Sequence, residues 1–202
     1  MLNPDFRTVN LSGPVVTVMR SAVSAICTAS VGAGYANYLF VHEFGHHFAD
    51  LGDEYYTSDV AYETGAVSHP EPWAPNITAL HDPEKLKWRD LVEASTPLPT
   101  PWKKQDYEAT SRGYQERRRE LRAKRVAETV MDQYFDEVKA WSTQYLGSQE
   151  HSGRVGAFEG ASYEAKGLYR PEIDCIMFTR DEVGFCPVCS RAIARVIDLY
   201  SE

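Results

Sequence analysis

Near its start the chain runs PVVTVM over residues 14–19, a β-branched block that predicts one strand. The small-residue stretch that follows, SAVSAICTASVGAG, holds no clean period; it reads as helix or loop, broken at Gly32 and Gly34. From about residue 38 the spacing turns helical, and Asn37 is suited to cap the start. Phe40, Phe44, Phe48 and Leu51 recur on one face with Val41 beside them, which gives this helix an apolar stripe to bury. Residues 57–101 are rich in Pro, Thr, His and Asn and predict an ordered loop region wrapping the domain, with one short helix over 83–94. Residues 103–146 contain no proline and many helix formers, interrupted only by Gly113, and predict one long helix or two in series.

Composition narrows the classes. A chain of 202 residues with 43% hydrophobic and 12% aromatic residues is long and apolar enough for one domain with its own core. A net charge of -8, from 21 basic and 29 acidic residues, argues against a general nucleic-acid binder and against attraction to anionic membranes. The cluster Arg117, Arg118, Arg119, Arg122, Lys124 and Arg125 is interleaved with Glu116, Glu120 and Glu128, the pattern of a solvated helix face. No apolar run approaches a membrane span. The opening MLNPDFRTVNLSGP lacks the basic flank and apolar run of an export signal, so none is visible here. Composition leaves the oligomeric state open.

Candidate chemistry sits in FVHEFGHHFADLGDEYY, residues 40–56. A helix advances about 100° per residue, so His42 and His46 point the same way. Glu43 lies to the side of that pair, where a carboxylate reaches a water held by a metal without ligating the metal itself. This is the logic of H-E-x-x-H, with His42 and His46 as zinc ligands and Glu43 as general base. His47 points about 100° away from His46 and reads as support or surface. Well downstream, Met177 sits in DCIM. A methionine in a tight turn beneath the metal is the hallmark of the metzincin branch of zinc peptidases.

With these residues in place the chain resembles the IgA-peptidase family of zinc metallopeptidases. The resemblance is carried by FVHEFGHHFADLGDEYY, EPWAPNIT, TPLPTPWKK, GAFEGASYEAKGLYRPEIDCIMF and FCPVCSRAI, in that order over about residues 38–195. It implies an α+β, zincin/metzincin-like catalytic domain occupying 1–202 as a single unit, with 103–146 as a helical insertion and 1–35 as a shortened or poorly matched part of the sheet. It further implies a secreted or extracellular endopeptidase with one catalytic Zn2+ ion, acting on a protein or peptide, with neither nucleic acid nor membrane as partner. Two positions depart from the family's pattern. Asp50 stands where its turn would carry a glycine, and the first 35 residues do not resemble its upstream part.

The third metal ligand follows from reach. The usual metzincin spacing places it ten residues after the first histidine, which here is Gly52, followed by Asp53 and Glu54. On an unbroken helix Asp53 would lie about 10 Å beyond His46, too far for a short carboxylate. The helix must therefore stop near Phe48 to Asp50 and the chain turn back, with Gly52 suited to a positive φ. Asp53 is the expected ligand and Glu54 the alternative, the unchosen one serving as support or as a salt-bridge partner. Met177 would support the site from below, and Tyr169 or Tyr55 would stabilise the oxyanion or simply be buried tyrosines. Four cysteines, Cys27, Cys175, Cys186 and Cys189, include a single CxxC. A structural zinc would need a second half-site from Cys27 and Cys175. In a secreted peptidase the pairing of Cys175 with Cys186 or Cys189 would pin the methionine turn to the last helix, with reduced buried thiols as the alternative. The function expected is zinc-dependent peptide hydrolysis; the alternative is a zinc-bearing, peptidase-like binding module without turnover.

Overall fold

The computed structural model describes residues 15–19, 26–30, 36–56, 68–180 and 183–201. Among these the order of elements is β1 (Val15–Met19), β2 (Ile26–Ser30), α1 (Ala36–Ala49), α2 (Lys104–Ala123), α3 (Glu128–Gly147), β3 (Phe158–Ala161), β4 (Glu164–Arg170) and α4 (Pro187–Leu199). The arrangement is α+β, with two antiparallel strand pairs, β1–β2 and β3–β4. The strand expected at 14–19 is β1. Its partner β2 lies inside the stretch read as helix or loop, and its antiparallel pairing with β1, Val15 opposite Ser30 to Met19 opposite Ile26, decides its state. The expected breaks at Gly32 and Gly34 lie outside the described residues, as does the part of the expected loop region over 57–67.

Helix α1 begins at Ala36, so Asn37 lies in its first turn and is not its cap. Its orientation differs from the expectation. Phe40 and Phe44 are 44% and 38% exposed, whereas His42, Gly45 and Ala49 are buried. The reason is Gly45: a Cβ there would meet Met177 Sδ and Phe185 Cε1 at 3.0 Å, so the bare backbone lets the histidine face approach the methionine turn. The apolar residues Val41 and Phe48 pack at the edge of that contact. The same core gathers Leu86, Trp88, Val92, Cys175, Ile176, Met177, Val188 and Ala192, joining α1 to α4 through the loop at 83–92. That loop holds two single 3-10 turns, Pro83–Lys85 and Arg89–Leu91, in place of the expected helix. Trp88 is fully buried and its indole N–H donates to the Gly156 carbonyl at 2.7 Å. A side chain of that size buried and hydrogen-bonded costs about 3–5 kcal/mol to truncate.

A second core, Tyr56, Tyr107, Leu146, Phe158, Ile173 and Phe178, seats the α2–α3 hairpin. The two helices are separate, and the break falls at Lys124–Ala127, with Arg125 at φ 49°, not at Gly113. The basic cluster is solvated and partly ion-paired: Arg117 meets Glu137 at 2.7 Å and Arg122 meets Glu128 at 3.1 Å. Strands β3 and β4 join through Ser162 and Tyr163, both at positive φ (51° and 66°), as a two-residue turn of mirror-image type requires. No helix among the described residues is long and apolar enough to cross a membrane.

Candidate active site

Helix α1 ends where the reach argument requires. Its last residue is Ala49, and Asp50 takes a left-handed φ of 52° while its N–H donates to the His46 carbonyl at 3.1 Å. Asp50, not Gly52, thus makes the turn, in the position where a glycine was expected from the resemblance. Gly52 has a different task. A Cβ on it would stand 2.8 Å from Ile77 Cγ1, and its N–H and carbonyl are both held by the buried side chain of Asn76, at 2.7 and 2.9 Å. Close approach of the Ile77 and Ala74 side chains to its backbone, rather than a positive φ, is what needs glycine there.

Past this clamp the chain is extended, and three side chains converge. His42 Nε2 lies 3.1 Å from Asp53 Oδ1, His46 Nε2 lies 3.0 Å from the same oxygen, and the two imidazole nitrogens are 3.1 Å apart. Each imidazole is fixed from behind: His42 Nδ1 donates to the Ile176 carbonyl at 2.9 Å and His46 Nδ1 to the Leu51 carbonyl at 2.6 Å. With Nδ1 of each ring engaged by a carbonyl, Nε2 is the atom that faces Asp53, donating to the carboxylate when it carries a proton and offering its lone pair to a metal ion when it does not. The other oxygen of Asp53 accepts from the Tyr163 hydroxyl at 2.6 Å, and that phenol is linked to Tyr55 at 2.8 Å.

The electrostatics follow from these bonds. Burial works to raise the Asp53 carboxyl, but hydrogen bonds from His42, His46 and Tyr163 hold it well below the usual carboxylate range. For His46 burial works downward, and the bonds to Asp53 and the Leu51 carbonyl, with the charges of Asp53 and Glu43, raise it above its ordinary value. Glu43 is therefore within electrostatic range of the trio, and it is half-buried one residue past His42. The Tyr163 hydroxyl is pushed up to about 12, first by burial and then by its bond to Asp53, so it stays a donor through neutral pH.

Donor chemistry and spacing fit a divalent metal ion. Two imidazole nitrogens and one carboxylate oxygen are the donor types of catalytic zinc, and tetrahedral bonds of 2.0–2.1 Å give donor–donor edges of about 3.3 Å. The observed edges, 3.0–3.1 Å, are close to that. Outside the trio, a cleft of about 350 Å³ runs beside His46, walled by Pro72, Trp73, Ala74 and Ile77. Trp73, 90% exposed, stands at its rim.

Other sequence-derived expectations fare differently. Met177 is fully buried, and its Sδ would lie 3.0 Å from a Cβ on Gly45. Tyr55 reaches the site through its bond to Tyr163 and by stacking on the His42 ring, centroids 6.1 Å apart, while Tyr169 pairs by its backbone with Thr78. His47 is half-buried and is not among the residues drawn together. Glu54 does not join the histidines; it is buried in a second group with Cys175, Cys186 and Cys189. Those three cysteines are free thiols, with Cys175 and Cys189 sulfurs 3.9 Å apart, so the expected disulfide is not formed; Cys27's side chain lies outside the described residues. Sequence reading missed Tyr163 and Asn76. Both lie inside stretches shared with the family, EPWAPNIT and GAFEGASYEAKGLYRPEIDCIMF, but neither stretch carries a local signature that marks the residue as part of the site.

Comparison with known proteins adds one finding. The family model described as IgA Peptidase M64 matches residues 21–197, beginning upstream of α1 and ending within α4. No curated protein matches the chain.

Proposed function

The chain belongs to the IgA Peptidase M64 family, a family of metallopeptidases, and on that premise we propose that it is a zinc-dependent endopeptidase whose metal is held by His42, His46 and Asp53. Membership makes it a peptidase and its substrate a protein or peptide. The observation that supports the finer reading is the triangle of three donor atoms 3.0–3.1 Å apart, each imidazole locked by a backbone carbonyl. Zinc bound there would polarise the scissile carbonyl and acidify a water.

The chain's own residues do the rest. Glu43, one residue past His42 and to the side of the histidine pair, takes the proton of the attacking water and passes it to the leaving amine. Asp53 and Tyr163 hold the negative end of the ligand set, and the phenol keeps Asp53 from rotating away. The cleft beside His46 offers an apolar wall to a substrate side chain, with Trp73 at its entrance. Met177 under Gly45 fixes the height of the helix on which both histidines ride.

Glu43→Ala tests the assignment. The variant should keep its zinc, because the three donors remain, and lose turnover of an unfolded protein substrate by at least about 100-fold. Wild-type protein that carries stoichiometric zinc yet cleaves neither unfolded protein nor a peptide library would overturn the enzyme reading in favour of a binding module.

A further inference from the structure

A second cluster of metal-binding side chains stands apart from the histidines. Glu54, Cys175, Cys186 and Cys189 are all buried, and their donor atoms lie within 4.8 Å of one another. They come from three separate places: the extended run after α1, the methionine turn, and the start of α4. The sulfurs of Cys175 and Cys189 are 3.9 Å apart, too far for a disulfide and close to the edge of about 3.8 Å expected for sulfurs bound 2.3 Å from one zinc in a tetrahedron.

Backbone N–H groups are directed at two of the sulfurs. Cys186 caps α4, and its sulfur accepts the Cys189 N–H at 3.4 Å, while the Cys175 sulfur accepts the Cys186 N–H at 3.4 Å. The positive end of a helix of 13 residues points at the same place. Glu54, 0% exposed, carries the second independent sign. Its Oε1 accepts from Asn76 Nδ2 at 2.9 Å and from Cys189 at 3.3 Å, but its Oε2 is buried with no partner. The buried cation nearest in effect, Arg170, directs its Nη1 and Nη2 donors to the carbonyls of Glu159, Gly160 and Ile173, leaves Nε without a partner, and lies on the ring of Phe178. A carboxylate and three thiols in one closed pocket, with an orphan oxygen among them, are costly without a positive ion at their centre.

We propose that Cys175, Cys186, Cys189 and Glu54 form a structural zinc site, separate from the histidine site. Four protein donors leave no open position for a substrate, which marks the site as structural. Its ion would tie the methionine turn, the first turn of α4 and the residue next to Asp53 into one unit. The second half-site is thus Cys175 with Glu54. The inference does not depend on the protein being a peptidase.

The test uses the full chain purified under reducing conditions, together with His42→Ala/His46→Ala, which removes the first site. Wild type should bind two zinc ions per chain, one for each donor group, and the double variant should keep one. Cobalt substituted into the double variant should give strong near-ultraviolet bands from thiolate-to-metal charge transfer, which nitrogen and oxygen donors do not produce. Adding Cys189→Ser should abolish that ion and those bands. A double variant that is folded by circular dichroism but binds no zinc and shows no thiolate–cobalt band would overturn the proposal, as would a stoichiometric Cys175–Cys189 disulfide that persists in the zinc-loaded protein. Should Cys189→Ser fail to fold, the cobalt spectrum of the double variant still decides. Wild type with both ions but no peptidase activity would sink the catalytic assignment alone; wild type with one ion, lost in the double variant, would sink the second site alone.

Discussion

Tyr163→Phe removes a single oxygen, and the structure fixes what that oxygen does. It donates to Asp53 Oδ2 at 2.6 Å, the short distance of a hydrogen bond to an ionised carboxylate. Such bonds contribute about 1.5–3 kcal/mol when their partner is charged. Tyr163 is half-buried, so water replaces part of the lost bond, and about 1–2 kcal/mol is the realistic loss. At 1.4 kcal/mol per factor of ten this predicts a fall in zinc affinity of roughly 5–30-fold at the histidine site. Phenylalanine fills the same space and keeps the edge-on contact with Tyr55, whose ring centroid lies 5.0 Å away, so no cavity confuses the result.

The measurement is competition for zinc against a chelator of known affinity at constant pH, with thermal unfolding as a control. Tyr55→Phe, one bond further from the carboxylate, should change affinity by no more than a few-fold. Asp53→Ala deletes a direct ligand and should cost more than either. A double-mutant cycle makes the reasoning refutable: in the Asp53→Ala background, Tyr163→Phe should have almost no further effect. An equal loss in both backgrounds, or a change below twofold in the wild-type background, would show that the phenol does not act through Asp53.

Three other outcomes are expected. Gly45→Ala should destabilise the fold by about 1–3 kcal/mol in denaturant titration, because the new methyl group meets Met177 Sδ, Phe185 and Leu51 at 3.0–3.1 Å; an unchanged midpoint would show that α1 shifts freely. Asp50→Gly should stabilise by up to about 1 kcal/mol in the same assay, since Asp50 is exposed and holds φ 52°; a loss would mean that its carboxylate matters more than its backbone. Burial, helped by the charges of Cys175 and Asp174, lifts the Glu172 carboxyl to about 7, above its unfolded value of about 4.5, so its contribution is present below pH about 4.5 and is lost as pH rises towards 7. Glu172→Gln should therefore gain stability relative to wild type between pH 5 and 7.5, on the order of 1 kcal/mol after allowing for partial exposure, and a gap that does not widen with pH would contradict the shift.

Local spacing made some of the molecule legible. The β-branched block at 15–19 and the histidine pair one turn apart need only the periods of strand and helix. The end of α1 followed from the length of a carboxylate side chain set against the helix rise. The break in the helical region was not legible, because Gly113 is harmless where it sits: a Cβ there would meet nothing within 4 Å. The chain reverses instead at Lys124–Ala127, which contains neither Gly nor Pro, and the antiparallel pair is held by contacts between distant residues, with Tyr107 stacked on Trp141 at 5.2 Å and Arg117 paired to Glu137. The apolar stripe misled for a related reason. Period alone cannot tell which face of α1 is inside when a glycine on the polar face lets that face approach most closely. Tyr163 comes from 110 residues beyond Asp53, and nothing around it in sequence announces the contact.

The division of labour between Asp53 and Glu54 is the point at which fold and chemistry meet. Over residues 53–56 burial alternates, and the carbonyls of Asp53 and Tyr55 both accept from the hairpin turn, so side chains alternate between two faces as along a strand. Asp53 and Tyr55 share the half-exposed face with Tyr163, while Glu54 and Tyr56 are buried on the other, Glu54 among the cysteines and Tyr56 against Phe178. The register is set three times over: Asn76 clamps Gly52, the hairpin turn donates from Ser162 and Tyr163 to the carbonyls of Asp53 and Tyr55, and the Glu54 N–H donates to the Met177 carbonyl. A slip of one residue would exchange every side chain between the faces, placing Glu54 at the histidines and Asp53 in the closed pocket. The shorter carboxylate thus faces the histidines and the longer one the sulfurs because backbone pairing holds the strand, and each donor group depends on the same few hydrogen bonds as the other.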